Sequence, residues 1–385
     1  METTSFKFPY EVLDRRNTSA GVVTIAKSVV LPDRQWDDFL NGVEGVEFEQ
    51  TSLWAMVKQQ NGWQSVRIIF IVDDCIVGGY QVLTKKVRFI GVLGYAIKGP
   101  TCSRDDQAII SCVTDTLLSG TGLSDVKALI VQPPFISPGV DSIFTEKKVL
   151  YERMLSIIRA SVVIPLAGKN VDDIYNQIKR QKRQNISKAV KNELKFVEGC
   201  STDIDLFFDL MVNSCRRNNL LPNPQRSSFF KEMWKIFSKR HFIRLFFVEK
   251  DGKKICGVLA ILFGKSVYMW KFGWSGEYAE YRPNDFIFWK IIEWSKLNGY
   301  SFTDFMGTNL ASIPEEYKSC SIVPDDKIVS HGSFKHGFGG SIHIFPEVRI
   351  VFYSNFIRII YFLGNTVLHM LPGFIQKNIK SKIGR

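Results

Sequence analysis

The sequence predicts an α/β protein of the α+β kind, organised as two similarly built domains in tandem. Three observations lead there. At 385 residues the chain is too long for one ordinary hydrophobic core, so two domains of roughly 150–200 residues are expected. Hydrophobic residues make up 45% and charged residues 23%, which places the chain with globular rather than disordered proteins. The third observation is an internal echo: RIIFIVDDCIVGGYQVL from Arg67 and RLFFVEKDGKKICGVLAIL from Arg244. Each reads as a strand, an Asp-containing turn and a second strand opening I-x-G.

The elements around the echo follow the same order in both halves. Helical patterning precedes each copy. A further strand follows it, in VRFIGVLGYAIKGP and in SVYMWKFGWSGE. Helices are expected next, around 104–119 and 283–298, and then the closing strands KALIVQPP and FTDFMG. The halves join near the strand ASVVIPLAG, residues 160–168. The expected domains are therefore 1–160 and 161–347, with a tail over 348–385. The second half carries an extra helix over 172–196, with Asp172 and Asp173 in its first turn, where the helix dipole favours acids. Ile174, Ile178, Ile186, Val190 and Leu194 recur at helical spacing as a stripe to bury, and Lys179, Arg180, Lys182, Arg183, Lys188 and Lys191 cover the other faces.

The formal net charge of +12 favours anionic partners: nucleic acid, a phosphorylated substrate or an anionic membrane. Seven scattered cysteines without a C-x-x-C pair argue against a disulfide framework or a zinc site, and the five histidines lie at spacings unsuited to a metal pair. No metal or bound cofactor is expected. METTSFKFPYEVLDRR has no apolar run of the signal-peptide kind, so a cytoplasmic location is expected.

One stretch stands out for chemistry. GSFKHGFGG, residues 332–340, sets a single lysine, Lys335, among four glycines and between Phe334 and Phe338. Glycine runs mark a tight turn or a close approach to backbone, yet this run has neither the P-loop order nor the dinucleotide order. The tail, 348–385, is apolar and aromatic but interrupted by Arg349, Asn355, Arg358, Asn365 and His369. It falls short of a clean span of about 20 residues, and reads as an amphipathic interfacial helix pair.

Six pieces together resemble a known family: QTSLWAMVK (50–58), GYAIKGP (94–100), KRQKRQNISKA (179–189), NSCRRNN (213–219), YRPN (281–284) and FKHGFGG (334–340). In this order they are similar to the Fem-type aminoacyltransferases, which build the peptidoglycan cross-bridge from aminoacyl-tRNA. The resemblance spans roughly 45–345, without the long helical-hairpin arm of some members. It implies two tandem GNAT-like domains, aminoacyl-tRNA as co-substrate and a nucleotide- or lipid-linked peptidoglycan precursor as partner. Lys335, with Phe334 beside it, is then the family's F-K lysine, stabilising charge where the aminoacyl ester is attacked or holding the terminal tRNA phosphate, with the glycines letting the tRNA end approach. Lys58, one turn after Trp54, is implied to grip the precursor's diphosphate, and Arg217 to assist from the second domain, with Arg216 as the adjacent alternative. Lys179, Arg180, Lys182 and Arg183 are expected to track tRNA phosphates.

Where members often carry Asp-Pro, this chain has Gln132-Pro133, and glutamine cannot act as a base. Asp304, in the corresponding strand of the second half, is a candidate for polar lining. The CoA-cradling [QR]-x-x-G-x-[GA] loop is missing before either crossover helix, which weighs against the alternative of a GNAT-like N-acyltransferase acting on an amino sugar or secondary metabolite. The apolar tail is expected to bring a cytoplasmic enzyme into peripheral contact with the membrane.

Overall fold

The computed structural model describes residues 8–103, 106–136, 139–152, 155, 157–310, 313–318, 320–324 and 334–370, the last six as helical backbone only. The chain divides into two compact units, Met1–Ile158 with Phe345–Arg385, and Arg159–Ile344. The first runs β1 (Glu11–Thr18), β2 (Gly21–Ser28), α1 (Arg34–Gly42), α2 (Ser52–Gln59), β3 (Gln64–Val72), β4 (Cys75–Val87), β5 (Gly91–Ile97), β6 (Thr101–Cys102), α3 (Gln107–Ser119), β7 (Val126–Gln132), α4 (Val140–Glu146) and β8 (Leu150–Tyr151). The second runs β9 (Ala160–Pro165), α5 (Val171–Gln177), α6 (Arg180–Lys191), β10 (Lys195–Gly199), α7 (Ile204–Arg217), α8 (Ser227–Phe237), β11 (Ile243–Lys250), β12 (Lys253–Phe263), β13 (Ser266–Trp274), α9 (Pro283–Leu297), β14 (Phe302–Asp304), β15 (Ile322–Pro324) and β16 (Ser341–Ile344). β17 (Arg349–Phe352) and α10 (Asn355–Met370) then return to the first unit.

The echo in the sequence is an echo in topology. The first sheet is ordered β1-β2-β3-β4-β5-β7-β17-β8 and the second β10-β11-β12-β13-β14-β9-β16-β15. Each copy forms an antiparallel hairpin, β3–β4 and β11–β12, turned by residues of positive φ: Asp73 and Asp74 in one, Asp251 and Gly252 in the other. Asp and Gly tolerate that conformation, which fits the twist of the flanking strands. β5 pairs parallel with β7 across α3, and β13 pairs parallel with β14 across α9. A parallel pair needs a crossover, and these two helices supply it. Asp106 caps α3 by accepting from Ala108 N and Ile109 N, and Pro283 opens α9 at a position where a missing N–H costs nothing. Each sheet packs its own core, Ile68, Phe70, Ile110 and Leu129 in one unit and Phe246, Val258, Ile287 and Phe288 in the other.

Two sequence expectations are corrected. The single helix over 172–196 is two helices and the start of a strand. Ile178 and Lys179 adopt ψ of 134° and 140°, and Lys179 N donates to Gly337 O at 2.8 Å, a bond that no continuing helix allows. The break rotates α6 relative to α5, so Ile186 and Ala189 are buried while Val190, expected in the buried stripe, is 59% exposed. The tail over 348–385 does not begin as an interfacial segment. β17 pairs antiparallel with both β7 and β8, satisfying backbone groups that would otherwise lie unpaired at a buried sheet edge. Arg349, an interruption of the tail in sequence, is buried, with its guanidinium on Val149 O at 3.1 Å, Asp141 at 3.2 Å and Thr145 Oγ1 at 2.9 Å. Residues 371–385, with Lys377, Lys380, Lys382 and Arg385, lie outside the described residues.

Candidate functional site

In the second unit the crossover strand β14 ends at Asp304, whose buried carboxylate accepts from Ser161 Oγ on β9 and from Met306 N at 2.6 Å. Gly307 N donates to Ser161 Oγ at 3.2 Å. Met306 and Gly307 both take positive φ, and their two carbonyl oxygens accept from Lys335 Nζ, the Gly307 bond at 2.6 Å. Burial pushes the Lys335 ammonium down to about 8, Asp304 works against that fall, and Lys271 on β13 adds to it. An ammonium has three donors; two are spent on the carbonyls and the third has no partner among the described residues. The result is a compact cation, oriented by backbone and poised near neutral pH, with a hydrogen-bond donor in reserve.

The glycines around Lys335 serve a purpose the sequence did not indicate. A Cβ on Gly340 would stand 2.5 Å from Val163 O, and one on Gly339 would stand 2.8 Å from Gln177 Cβ and 3.0 Å from its carbonyl oxygen. The space that a side chain would need is therefore filled by β9 and α5 of the same chain, so at Gly339 and Gly340 close approach is internal rather than to a tRNA end. Gly332 lies outside the described residues. Aromatics complete the anchoring. Phe338 is fully buried, a burial contributing about 1.5–3 kcal/mol. Its ring stands 5.4 Å from Phe305, while Phe334 meets Phe288 edge-on at 4.9 Å.

The basic helix divides by role. Lys182 turns inward: Nζ reaches Asp285 at 2.8 Å and Phe334 O at 2.9 Å, and lies 3.7 Å from the centre of the Phe334 ring. Asn185 donates to the other Asp285 oxygen at 3.1 Å. Lys182 is thus spent on holding the Lys335 loop, and its expected place among the phosphate-tracking cations is corrected. Lys179 and Arg180 are exposed, and Arg183 is half-buried. Arg180, Arg183, Ser187, Lys188 and Lys191 line an open groove of about 460 Å³ on α6, so Lys188 and Lys191 of the basic face stand beside Arg180 and Arg183.

Arg217, at the end of α7, gives its fork to the chain itself: Ser275 O at 2.7 Å, Trp274 O at 2.5 Å and Ser214 Oγ at 3.3 Å, with the guanidinium 4.8 Å from the Trp274 ring. Arg216 beside it is exposed.

In the first unit, Thr51 caps α2 and brings Trp54 and Lys58 one turn apart. Lys58 Nζ lies 5.6 Å from the Trp54 ring and 5.2 Å from the Trp63 ring, and Lys85 Nζ lies 5.1 Å from that same Trp63 ring. Burial lowers the Lys58 pKa, Lys85 lowers it further and Glu49 opposes. Beneath the helix is a buried polar network. Asp33 accepts from Tyr10 OH at 2.8 Å, Ser28 Oγ at 2.6 Å and the fully buried Arg67 at 3.2 Å, while Asp37 takes Ser52 N and Oγ at 2.6 Å each. Gln50 accepts from Gln81 N at 2.7 Å and donates to Ile97 O at 2.7 Å. The Q-T-S part of the motif therefore fixes the start of α2, and through it Lys58.

At the end of β7, Gln132 is fully buried and donates through Nε2 to Ile158 O at 3.0 Å and Pro346 O at 3.3 Å. Its Oε1 has no hydrogen-bond partner among the described residues. Sequence reasoning missed Ser161, Lys271 and Asp285. Only Asp285 left a signal, as the acid in the first turn after the helix-opening YRPN.

Residues 175–319, which carry β14, Asp304 and most of the second unit, match a family model described as an acetyltransferase (GNAT) domain. A crystal structure of FemX, 17% identical, superposes with a TM-score of 0.73 over 88% of this chain and 99% of that one. The chain has the Fem-type tandem GNAT fold. A tandem GNAT protein from the clavulanic acid biosynthesis pathway, 10% identical, covers 86% of this chain and 100% of its own at a TM-score of 0.48. Among curated proteins, no sequence matches this chain. The GNAT domain match and the Fem-type fold together support an acyltransferase.

Proposed function

We propose that this acyltransferase moves an amino acid from aminoacyl-tRNA to an amine of a nucleotide- or lipid-linked peptidoglycan precursor. The observation that carries the reading is the Lys335 ammonium, held on the carbonyls of Met306 and Gly307 with one donor left over. In transfer, the acceptor amine attacks the aminoacyl ester carbon, the carbonyl oxygen gains negative charge, and the tRNA hydroxyl leaves with the proton the amine gives up. A preorganised cation at that oxygen stabilises the transition state by several kcal/mol, since its orientation costs nothing at the moment of reaction. The α6 groove, with Arg180, Arg183, Lys188 and Lys191, suits a phosphate backbone, while Lys58 between Trp54 and Trp63 suits the anionic end of the acceptor.

The donor class is supported by the two crossover helices. Acyl-CoA enzymes of the GNAT fold seat the CoA diphosphate on free amides at such a helix N-terminus. Here Asp106 already takes the first amides of α3, and α9 opens with Pro283, which has no N–H, followed by the buried carboxylate of Asp285. Peripheral contact of a cytoplasmic enzyme with the membrane through the tail that follows β17 accords with a lipid-linked acceptor.

The test is incubation of the purified protein with charged tRNA pools and nucleotide- or lipid-linked muropeptides, read by mass spectrometry, beside calorimetry with acetyl-CoA. Aminoacylated muropeptide is expected, with acetyl-CoA binding millimolar or weaker, because each missing charge-assisted hydrogen bond costs about 1.5–3 kcal/mol. Micromolar acetyl-CoA binding with acetylation of an amine would establish the alternative, an N-acyltransferase acting on an amino sugar or secondary metabolite.

A further inference from the structure

Helix α10 presents two apolar faces. Ile357 and Tyr361 point one way: Ile357 is buried in a cluster with Ile130, Val348 and Ile350, and Tyr361 stands 5.2 Å from the Phe352 ring. Phe356, Ile359, Ile360 and Leu363 recur at i, i+3, i+4 and i+7 on the opposite side and are 66%, 57%, 36% and 63% exposed. A soluble surface helix carries its polar residues on the outward side, whereas this one offers a contiguous apolar stripe about two turns long. Charge along this stretch of the sequence has one sign. From Asn355 to Arg385 the sequence holds Arg358, Lys377, Lys380, Lys382 and Arg385 and no Asp or Glu. No helix among the described residues is long and apolar enough to cross a membrane.

We infer that the outward stripe of α10 seats in the surface of an anionic bilayer, with Phe356, Ile359, Ile360 and Leu363 among the acyl chains at the headgroup boundary. An apolar stripe in an acid-free, basic stretch of sequence matches an interfacial helix: apolar area supplies insertion and the cations supply attraction to acidic headgroups. A protein partner would need only the stripe; an anionic lipid surface uses the stripe and the missing acids together. The inference deepens the proposed peripheral membrane contact by assigning it to α10, and its test needs no catalysis, so its failure leaves the aminoacyl-transfer reading standing.

The full chain is to be sedimented with vesicles of phosphatidylglycerol and phosphatidylethanolamine, and with vesicles of phosphatidylcholine alone. Binding to the anionic vesicles is expected, about tenfold or more weaker on phosphatidylcholine and weakened by salt. The triple variant Phe356→Ser, Ile359→Ser, Leu363→Ser should lose binding about tenfold or more at an unchanged melting temperature. If that variant fails to fold, the single variant Leu363→Glu decides, and should lose binding in the same direction. Undiminished binding by the variants, or no binding by the wild type, overturns the inference. So does a wild-type dimer in sedimentation velocity that the variants dissolve, since the stripe would then belong to a second copy of the chain.

Discussion

The two crossover strands end in opposite chemistry. β14 ends in Asp304, an acid beside a half-buried cation, tied to Ser161, to backbone N–H and through the 306–307 turn to Lys335. β7 ends at the same topological place in Gln132, a neutral amide that donates to two carbonyls and whose own oxygen has no partner among the described residues. Both strands lie parallel to the third strand of an echo and follow a crossover helix. The backbone therefore brings a strand end to the same topological place in each unit, and the side chains decide whether it carries charge. One copy holds an acid beside a cation and the other a neutral amide, and on the proposed reading the transfer chemistry belongs to the second unit.

The largest effect should come from breaking the charged copy. Lys335→Met keeps the length of the side chain and removes its charge, and transfer should fall by a factor of about 100–1000. A melting temperature within a few degrees of the wild type will show that the loop still folds, because Phe338 and Lys182 hold it independently.

The neutral copy can be made charged instead. Gln132→Glu is nearly isosteric but turns an oxygen toward Ile158 O and Pro346 O, where a donor now stands. An unpaired buried carboxylate costs on the order of 3 kcal/mol and escapes by staying protonated, so its folded pKa rises above the ordinary value of about 4.3. Stability should then be near wild type below about pH 4 and decline as pH rises, read as a melting temperature that falls with pH only in the variant.

A middling effect is expected on the basic helix. Neutralising Arg180, Arg183, Lys188 and Lys191 should weaken tRNA binding and lower the slope of log affinity against log salt by roughly 0.7–0.9 for each phosphate that is no longer neutralised. Lys182→Gln acts differently, because Lys182 pairs with Asp285: it should lower turnover by loosening the Lys335 loop while leaving the salt slope in place. Equal salt slopes in all variants would mark α6 as an ordinary solvated face.

The mildest change is in pH. Lys335 is depressed to about 8, so activity that needs its ammonium should decline as pH rises through that value. Asp304 holds the pKa up, and Asp304→Asn should move the decline to lower pH. A profile unaltered by this substitution would separate Lys335 from the titrating group.

Much of this is legible in the chain. The strand–turn–strand echo, the two crossover helices and the six motifs are local patterns: they depend on side-chain period and on turn residues, which a sequence displays directly. Lys335, Lys58 and Trp54 can be singled out for the same reason, as rare residue types in unusual local settings. The sequence by itself thus determined a duplicated α/β architecture, its fold family and where the chemistry was to be sought. What it could not display is how segments far apart in the chain meet. Lys182 pairs with a carboxylate 103 residues away, Lys335 is oriented by carbonyls 28 and 29 residues before it, and Arg217 spends its fork on a turn 57 and 58 residues on. The glycines of the Lys335 loop look in sequence like room for a ligand, and in the fold β9 and α5 occupy that room. The physical reason is common to the three cations. Whether a cation is free for a ligand depends on which acceptors reach it first, and that competition among distant groups is settled only when the chain has packed.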